Sequence, residues 1–161
     1  MSHTIAVRPA RPADAPVILA LLRQLAQFEQ APDGVSLTEE VIRADAFGEH
    51  PRFLAYLGEV EGDARGLMIV YLAYSSWAGK PTLVVHDLFV EASARGSGLG
   101  RALLKSAAAL ACDRDCCRVD VNVLAWNEKA RGFYQSLGFA PLENWLPYRL
   151  DGQAMQSLAK E

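Results

Sequence analysis

"ARGSGLGRALL" occupies Ala94–Leu104. Gly96, Gly98 and Gly100 alternate with other residues, Arg95 and Arg101 flank them, and an apolar run follows. Beyond the loop, Leu99, Leu103, Ala107, Leu110 and Ala111 recur at helical spacing. Before it, "LVVHDLFV" (Leu83–Val90) reads as a strand. A strand, a glycine loop and an amphipathic helix in that order suit an anion. Glycines let backbone N–H groups approach closely, and a helix N-terminus adds about half a unit of positive charge. The candidate amides are those of Gly96, Gly98, Leu99, Gly100 and Arg101. Arg95 and Arg101 add charge-assisted bonds to phosphate, or serve only as solvated surface charge.

Two familiar phosphate loops do not match. The nucleoside-triphosphate loop needs G-x-x-x-x-G-K-S/T, and no Lys-Ser/Thr pair follows these glycines. The dinucleotide fingerprint G-x-G-x-x-G needs a small residue where Arg101 stands. It also needs glycine directly after the strand, whereas Glu91–Arg95 intervene. Asp120 lies at a tempting distance, but only one such strand-loop-helix-strand unit exists. The remaining readings are a pyrophosphate loop of another kind or a merely flexible turn.

The rest of the chain supplies a mixed sheet. "TIAVRPA" (Thr4–Ala10) reads as a strand. Asp14 reads as an N-cap with Pro16 in the first turn, ahead of a helix through Ile18, Leu21, Leu22 and Leu25. "APDG" (Ala31–Gly34) ends it. "LTEEVIRADAF" (Leu37–Phe47) opens another helix, capped by Thr38. Strands are expected over Phe53–Val60, Gly66–Tyr74, Leu83–Val90 and Cys117–Leu124, with "EGDA" (Glu61–Ala64) a hairpin turn and "SSWAGKP" (Ser75–Pro81) a longer surface loop. Asn127 caps a short helix that Gly138 closes. "FAPL" (Phe139–Leu142) and "WLPYRL" (Trp145–Leu150) read as a final pair of short strands. Strands interleaved with helices predict an α/β chain, a mixed sheet covered by helices, in a single domain over residues 1–161.

Composition narrows the function classes. The chain has 161 residues, 51% hydrophobic and 22% charged, as in ordinary globular domains. A net charge of −3 carries no electrostatic footprint for nucleic acid or an anionic membrane. No signal peptide or membrane span is expected, and Pro9, Pro12 and Pro16 interrupt the N-terminal region. Cys112, Cys116 and Cys117 are an odd, clustered set. They read as small buried or half-buried thiols in a reducing cytoplasm, with neither a disulfide framework nor a metal site.

"HDLFV…ARGSGLGRALL" (His86–Leu104) resembles the acetyl-CoA-binding motif of the GNAT superfamily of N-acetyltransferases, roughly Q/R-x-x-G-x-G/A, with Gly98 and Gly100 at the small positions. "AWNEKARGFYQSLGF" (Ala125–Phe139) resembles the family's Asn…Phe-Tyr…Gly-Phe segment. "FGEHP" within Leu37–Phe53 and "WAGK" (Trp77–Lys80) resemble the diamine branch, the spermidine/spermine and thialysine N-acetyltransferases. The resemblance runs from "IAVRPA" to "ENWLPYRL". It implies a mostly antiparallel sheet splayed at the CoA site, and acyl transfer from acetyl-CoA to a small primary amine, with no metal. It also implies a cytoplasmic homodimer. Other amines (amino acid, antibiotic or protein), or a silent CoA-binding domain, are the alternatives.

The same resemblance assigns roles. Leu88, Phe89 and Val90 would hold the pantetheine arm as an added strand. Arg95, Gly96, Ser97, Gly98, Leu99, Gly100 and Arg101 would take the pyrophosphate, and Asn127, Lys129, Ala130 and Tyr134 would complete the CoA contacts. Asn127 is equally a plain helix cap. Tyr134 matches the family's acid for the departing sulfur, and Leu88 or a neighbour would donate to the oxyanion. The branch has Glu-Asp in the strand where this chain has His86-Asp87. His86 therefore stands as a candidate base, with Asp87 or a water chain as rivals. Strand alternation predicts Val84, His86 and Leu88 on one face and Val85, Asp87 and Phe89 on the other. Glu29 and Glu143 align with substrate-contacting positions. Trp77 walls the substrate channel or covers core.

Overall fold

The computed structural model describes residues 4–161. It divides into two compact units, Met1–Asn122 and Val123–Glu161. The first holds β1 (Ile5–Pro9), α1 (Ala15–Phe28), α2 (Glu39–Phe47), β2 (Leu54–Val60), β3 (Asp63–Ser75), β4 (Lys80–Val90), α3 (Leu99–Asp113) and β5 (Val119–Val121). The second holds α4 (Glu128–Ser136) and α5 (Gly152–Leu158).

The strands form one five-stranded sheet in the order β1-β2-β3-β4-β5. Its first three neighbour pairs are antiparallel, and β4 runs parallel to β5. This is the mixed, mostly antiparallel sheet that the chain pattern predicts. Local chemistry sets the connections. Glu61 and Gly62 both have positive φ, 53° and 86°, and join Val60 to its partner Asp63 in a two-residue hairpin turn. The Thr38 hydroxyl accepts the Val41 N–H at the start of α2. Asp14 does stand at the N-cap of α1, but its side chain makes no cap bond there. Its carboxylate accepts from the Arg11 N–H at 2.7 Å and from the Arg8 guanidinium, tying β1 to the entry of α1. The Arg8 contact holds the Asp14 carboxyl below its ordinary range.

Each face of the sheet has its helices. Ile18, Leu22 and Leu25 of α1 and Ile42 of α2 pack on Ala55, Leu57, Leu67, Ile69 and Phe89. Residues adjacent to these in the strands point the other way, onto α3. There Gly58 and Gly66 pair across β2 and β3, and Leu99 rests on both. A Cβ on Gly58 would lie 2.8 Å from Leu99 Cδ1 and 3.0 Å from its Cγ. The two glycines thus let the start of α3 sink onto the sheet, and Leu99 is 1% exposed.

Four expectations are corrected. The "FAPL" and "WLPYRL" segments form no strands. Pro141 and Pro147 remove ladder donors, and the segment runs irregularly to α5, which the sequence pattern did not announce. The strand expected over Cys117–Leu124 pairs only over Val119–Val121. Trp77 does not cover core; it is 98% exposed at the tip of the β3–β4 hairpin. Cys112 and Cys117 are exposed, leaving only Cys116 half-buried, where burial pushes its thiol up.

Gly58→Ala is expected to destabilise the fold by about 1–3 kcal/mol through overpacking against Leu99. Denaturant midpoints check this. Combining it with Leu99→Ala should cost less than the sum of the two single losses, since the second change removes the atoms the first collides with.

Candidate active site

The register of β3 against β4 slips at one point. Val85 pairs with Val70 and Asp87 with Ile69, so His86 is one residue too many. This is a β-bulge. Directly opposed residues of a pair share a face. Val84, Asp87 and Phe89 therefore lie on the face of Tyr71, Ile69 and Leu67, while Val85 and Leu88 lie with Val70 and Met68. Simple alternation had separated His86 from Asp87; the bulge brings them together. His86 Nδ1 stands 3.0 Å from Asp87 Oδ2, and its ring centroid is 6.0 Å from that of Tyr71.

Both side chains line an open cavity of about 270 Å³ on the α1–α2 side of the sheet. Leu22, Leu37, Phe53 and Ile69 supply apolar wall, and Arg52 is a further lining residue. His86 is 63% exposed and Asp87 22%, so the imidazole is reachable and the carboxylate half-hidden. A proton on Nδ1 donates to Asp87 and leaves Nε2 with its lone pair. Glu29, at the end of α1, is coupled to this pair. Although Glu29 is exposed, desolvation by its neighbours raises its carboxyl above the ordinary range, and the Asp87 charge adds to the rise.

The glycine loop lies on the other flank of β4. Gly96 and Gly98 take left-handed φ of 81° and 92°, and Gly98 is the N-cap of α3. The Leu99 N–H reaches the Ser97 hydroxyl at 3.3 Å. The N–H groups of Gly96, Gly98, Gly100 and Arg101 find no partner among the described residues. Beside them, β4 pairs with β5 only at Leu83, Val84 and Val85. From His86 to Val90 that edge of β4 has no strand against it. Unpaired amides along an extended edge and at a helix start fit a ligand with an amide-bearing arm and a pyrophosphate. The Arg101 side chain is exposed and makes no ion pair among the described residues. Arg95 is engaged: its Nε donates to the Val90 carbonyl at 3.0 Å, and its guanidinium lies 4.8 Å from the Phe28 ring centroid. Asp120, the tempting acid of the dinucleotide reading, faces Arg118 at 2.9 Å.

In the second unit the Asn127 side chain accepts the Ala130 N–H at 3.1 Å, so its capping role is realised. Lys129 is exposed. Tyr134 is 9% exposed and meets Phe139 edge-on, with centroids 5.4 Å apart. Gly138 has φ 94° and turns the chain so that the Phe139 N–H donates back to the Tyr134 carbonyl. Glu143 is exposed in the irregular segment. Arg52 and Tyr71 were not anticipated as site residues. Only the bulge and the packing of α1 and α2 bring them to the cavity.

The model of the "Acetyltransferase (GNAT) family" matches residues 19–139. The thialysine N-epsilon-acetyltransferase of Sus scrofa is 35% identical over 97% of this chain and 98% of its own. The Homo sapiens spermidine/spermine N(1)-acetyltransferase-like protein 1 is 30% identical over 96% of this chain and 24% of its own. An integron cassette protein from the mobile metagenome of V. cholerae shares the fold, with a TM-score of 0.82, 22% identity and coverage of 100% of this chain and 99% of that one. The chain belongs to the GNAT family of acetyltransferases. It is an acetyl-transferring enzyme that acts on an amine, in a family whose co-substrate is acetyl-CoA.

The raised Glu29 carboxyl has a consequence for stability. A carboxyl that holds its proton more tightly folded than unfolded favours the folded state at low pH. That advantage is lost as the pH rises through its ionisation. Glu29→Gln removes the dependence. The variant is expected to gain stability relative to wild type above the carboxylate range and to match it below, as read from melting midpoints across pH.

Proposed function

We propose that the enzyme acetylates the terminal amine of a diamine, a polyamine or a lysine-like amine by direct attack on the thioester of acetyl-CoA. One observation carries this reading. A single strand, β4, presents His86 and Asp87 to an apolar cavity and then, from Leu88 to Val90, an unpaired edge beside the free amides of α3. The acids Asp87 and Glu29 suit an ammonium; the Sus scrofa relative acts on thialysine, and the Homo sapiens one is named for its likeness to a spermidine/spermine acetyltransferase. The family model crosses the division between the two units, which supports one catalytic domain over residues 1–161.

Acetyl-CoA supplies an acetyl group activated as a thioester. Leu88, Phe89 and Val90 hold the pantetheine arm through their backbone groups. The amides of Gly96, Gly98, Gly100 and Arg101 take the pyrophosphate, and the helix start favours its charge. Ser97 and Leu99 shape that loop, and Arg95 braces it. Asn127, Lys129 and Ala130 belong to the CoA side by family resemblance, and Glu143 and Trp77 to the amine side.

The proton work falls to two residues. Asp87 orients His86 through Nδ1, and Nε2 accepts a proton from the substrate ammonium, directly or through water. The exposed lone pair forms the new C–N bond, the carbonyl oxygen gains charge against the Leu88 N–H, and the C–S bond breaks. Tyr134 gives its phenolic proton to the departing sulfur, the surplus proton on the acylated nitrogen passes through water to restore the phenol, and His86 releases its own proton to solvent. The family resemblance also carries a homodimer, and the free cysteines suit a reducing cytoplasm. The apolar surface of Trp145, Leu146 and Tyr148, exposed by 74%, 75% and 93%, supports association, and sedimentation of the purified chain tests it.

Gly98→Asp sets a carboxylate against the phosphates and is expected to weaken acetyl-CoA binding by ~10-fold or more. Calorimetry on the folded variant measures it, and unchanged affinity removes the loop from the CoA site. Tyr134→Phe is expected to cut kcat by about 10²-fold with CoA affinity kept, the usual scale for a positioned acid. His86→Gln is expected to lower kcat/KM by about 10²-fold, the usual scale for a positioned base. An unchanged kcat/KM would remove His86 from the proton work.

A further inference from the structure

The glycine loop is tied at its start to one acidic residue. Glu91 follows the last residue of β4, and its carboxylate is caught from two sides. Gln24 of α1 donates from Nε2 to Oε1 at 3.0 Å, and Arg65 of β3 donates from Nη1 to Oε2 at 3.0 Å. The backbone repeats the link. The Glu91 N–H donates to the Arg65 carbonyl at 2.9 Å, and the Glu91 carbonyl accepts from the Ala94 N–H, one residue before Arg95. The Arg65 Nη2 reaches Asp63 Oδ2 at 3.1 Å. Arg65 and Asp63 share with Gly96 and Ser97 the wall of an open cavity of about 600 Å³.

Charge makes this arrangement more than a brace. An anion site gains from each cation near it and loses from each anion. Glu91 sets a carboxylate at the start of a loop whose amides suit phosphates. Its side chain is only 19% exposed, so water and salt screen it poorly. Arg65 cancels that charge where it stands. Asp63 is 71% exposed, and solvent screens it without help. The ion pair itself adds little to stability, because the Arg65 side chain is 42% exposed. What it supplies is a neutral approach to the free amides.

We infer that Arg65 is a positioning residue that sets the affinity for the acetyl donor through Glu91: it ties down the start of the glycine loop and masks a carboxylate that otherwise repels the phosphates. The inference rests on the reading above that the loop takes the pyrophosphate of CoA.

Calorimetry of CoA binding to the full chain, at low and at high salt, tests it. Arg65→Gln is expected to weaken binding by ~5-fold at low salt, the scale of one uncovered charge in partly screened surroundings, and by less at high salt. Adding Glu91→Gln to Arg65→Gln should recover most of the lost affinity. Adding Asp63→Asn in its place should recover less. Melting midpoints check that each variant is folded. Three results overturn the inference: an affinity unmoved by Arg65→Gln, a loss of the same size at both salts, or a loss that Glu91→Gln restores no better than Asp63→Asn. Each leaves the loop reading intact, since the Gly98→Asp variant tests that reading separately. A wild type that does not bind CoA overturns both.

Discussion

Between Val85 and Asp87, β4 carries one residue more than β3 can pair. Without that surplus, alternation would turn Asp87 to the side of Val85, beneath α3, and Phe89 away from the α1 core. A carboxylate buried there without a partner costs several kcal/mol, about the scale of a whole domain's margin of stability. The bulge returns Phe89 to Leu67 and Ile69 and leaves Asp87 at the rim of a cavity, facing His86. It also bends and twists the strand, and β5 stops pairing at the same point. The cavity of His86 and Asp87 and the open edge thus arise at the same point of the strand.

Elements governed by neighbours in the chain were legible from residues alone. The Thr38 and Asn127 caps, a hairpin turn within Glu61–Ala64 and the left-handed Gly138 each follow from the chemistry of a few consecutive residues, and each forms. What depends on two distant segments was not legible. The slip of β4 cannot be read from β4 itself, because "LVVHDLFV" alternates equally well in a flat register. The apolar runs ending at Leu142 and Leu150 look like strands only until a partner strand is sought, and none pairs with them. Asp14 had the right position and other partners: Arg8 of β1 and the Arg11 N–H take its carboxylate, which makes no cap bond to the helix.

The candidate site divides in the same way. The glycine loop was visible because its backbone demands are local. The meeting of His86 with Asp87, and of both with Arg52 and Tyr71, requires the sheet register and the seat of two helices. The loop also inherits rigidity from below. Leu99, its first helical residue, is clamped against Gly58 and Gly66, so the amides ahead of it sit on a packed core and not on a free turn. Groups that must meet a ligand at hydrogen-bond distance gain most from such support.

Arg95 connects two regions that would otherwise be independent. Its guanidinium covers Phe28 at the end of α1, one residue before Glu29, while its Nε holds the last carbonyl of β4. Any anion that draws this cation away uncovers the Phe28 ring, so a ligand at the glycine loop and a contact at the end of α1 compete for the same side chain. Linkage makes such an effect reciprocal: the factor by which one ligand changes the affinity of the other is the same in both directions. A single stacked arginine can thus couple the foot of the glycine loop to the end of α1.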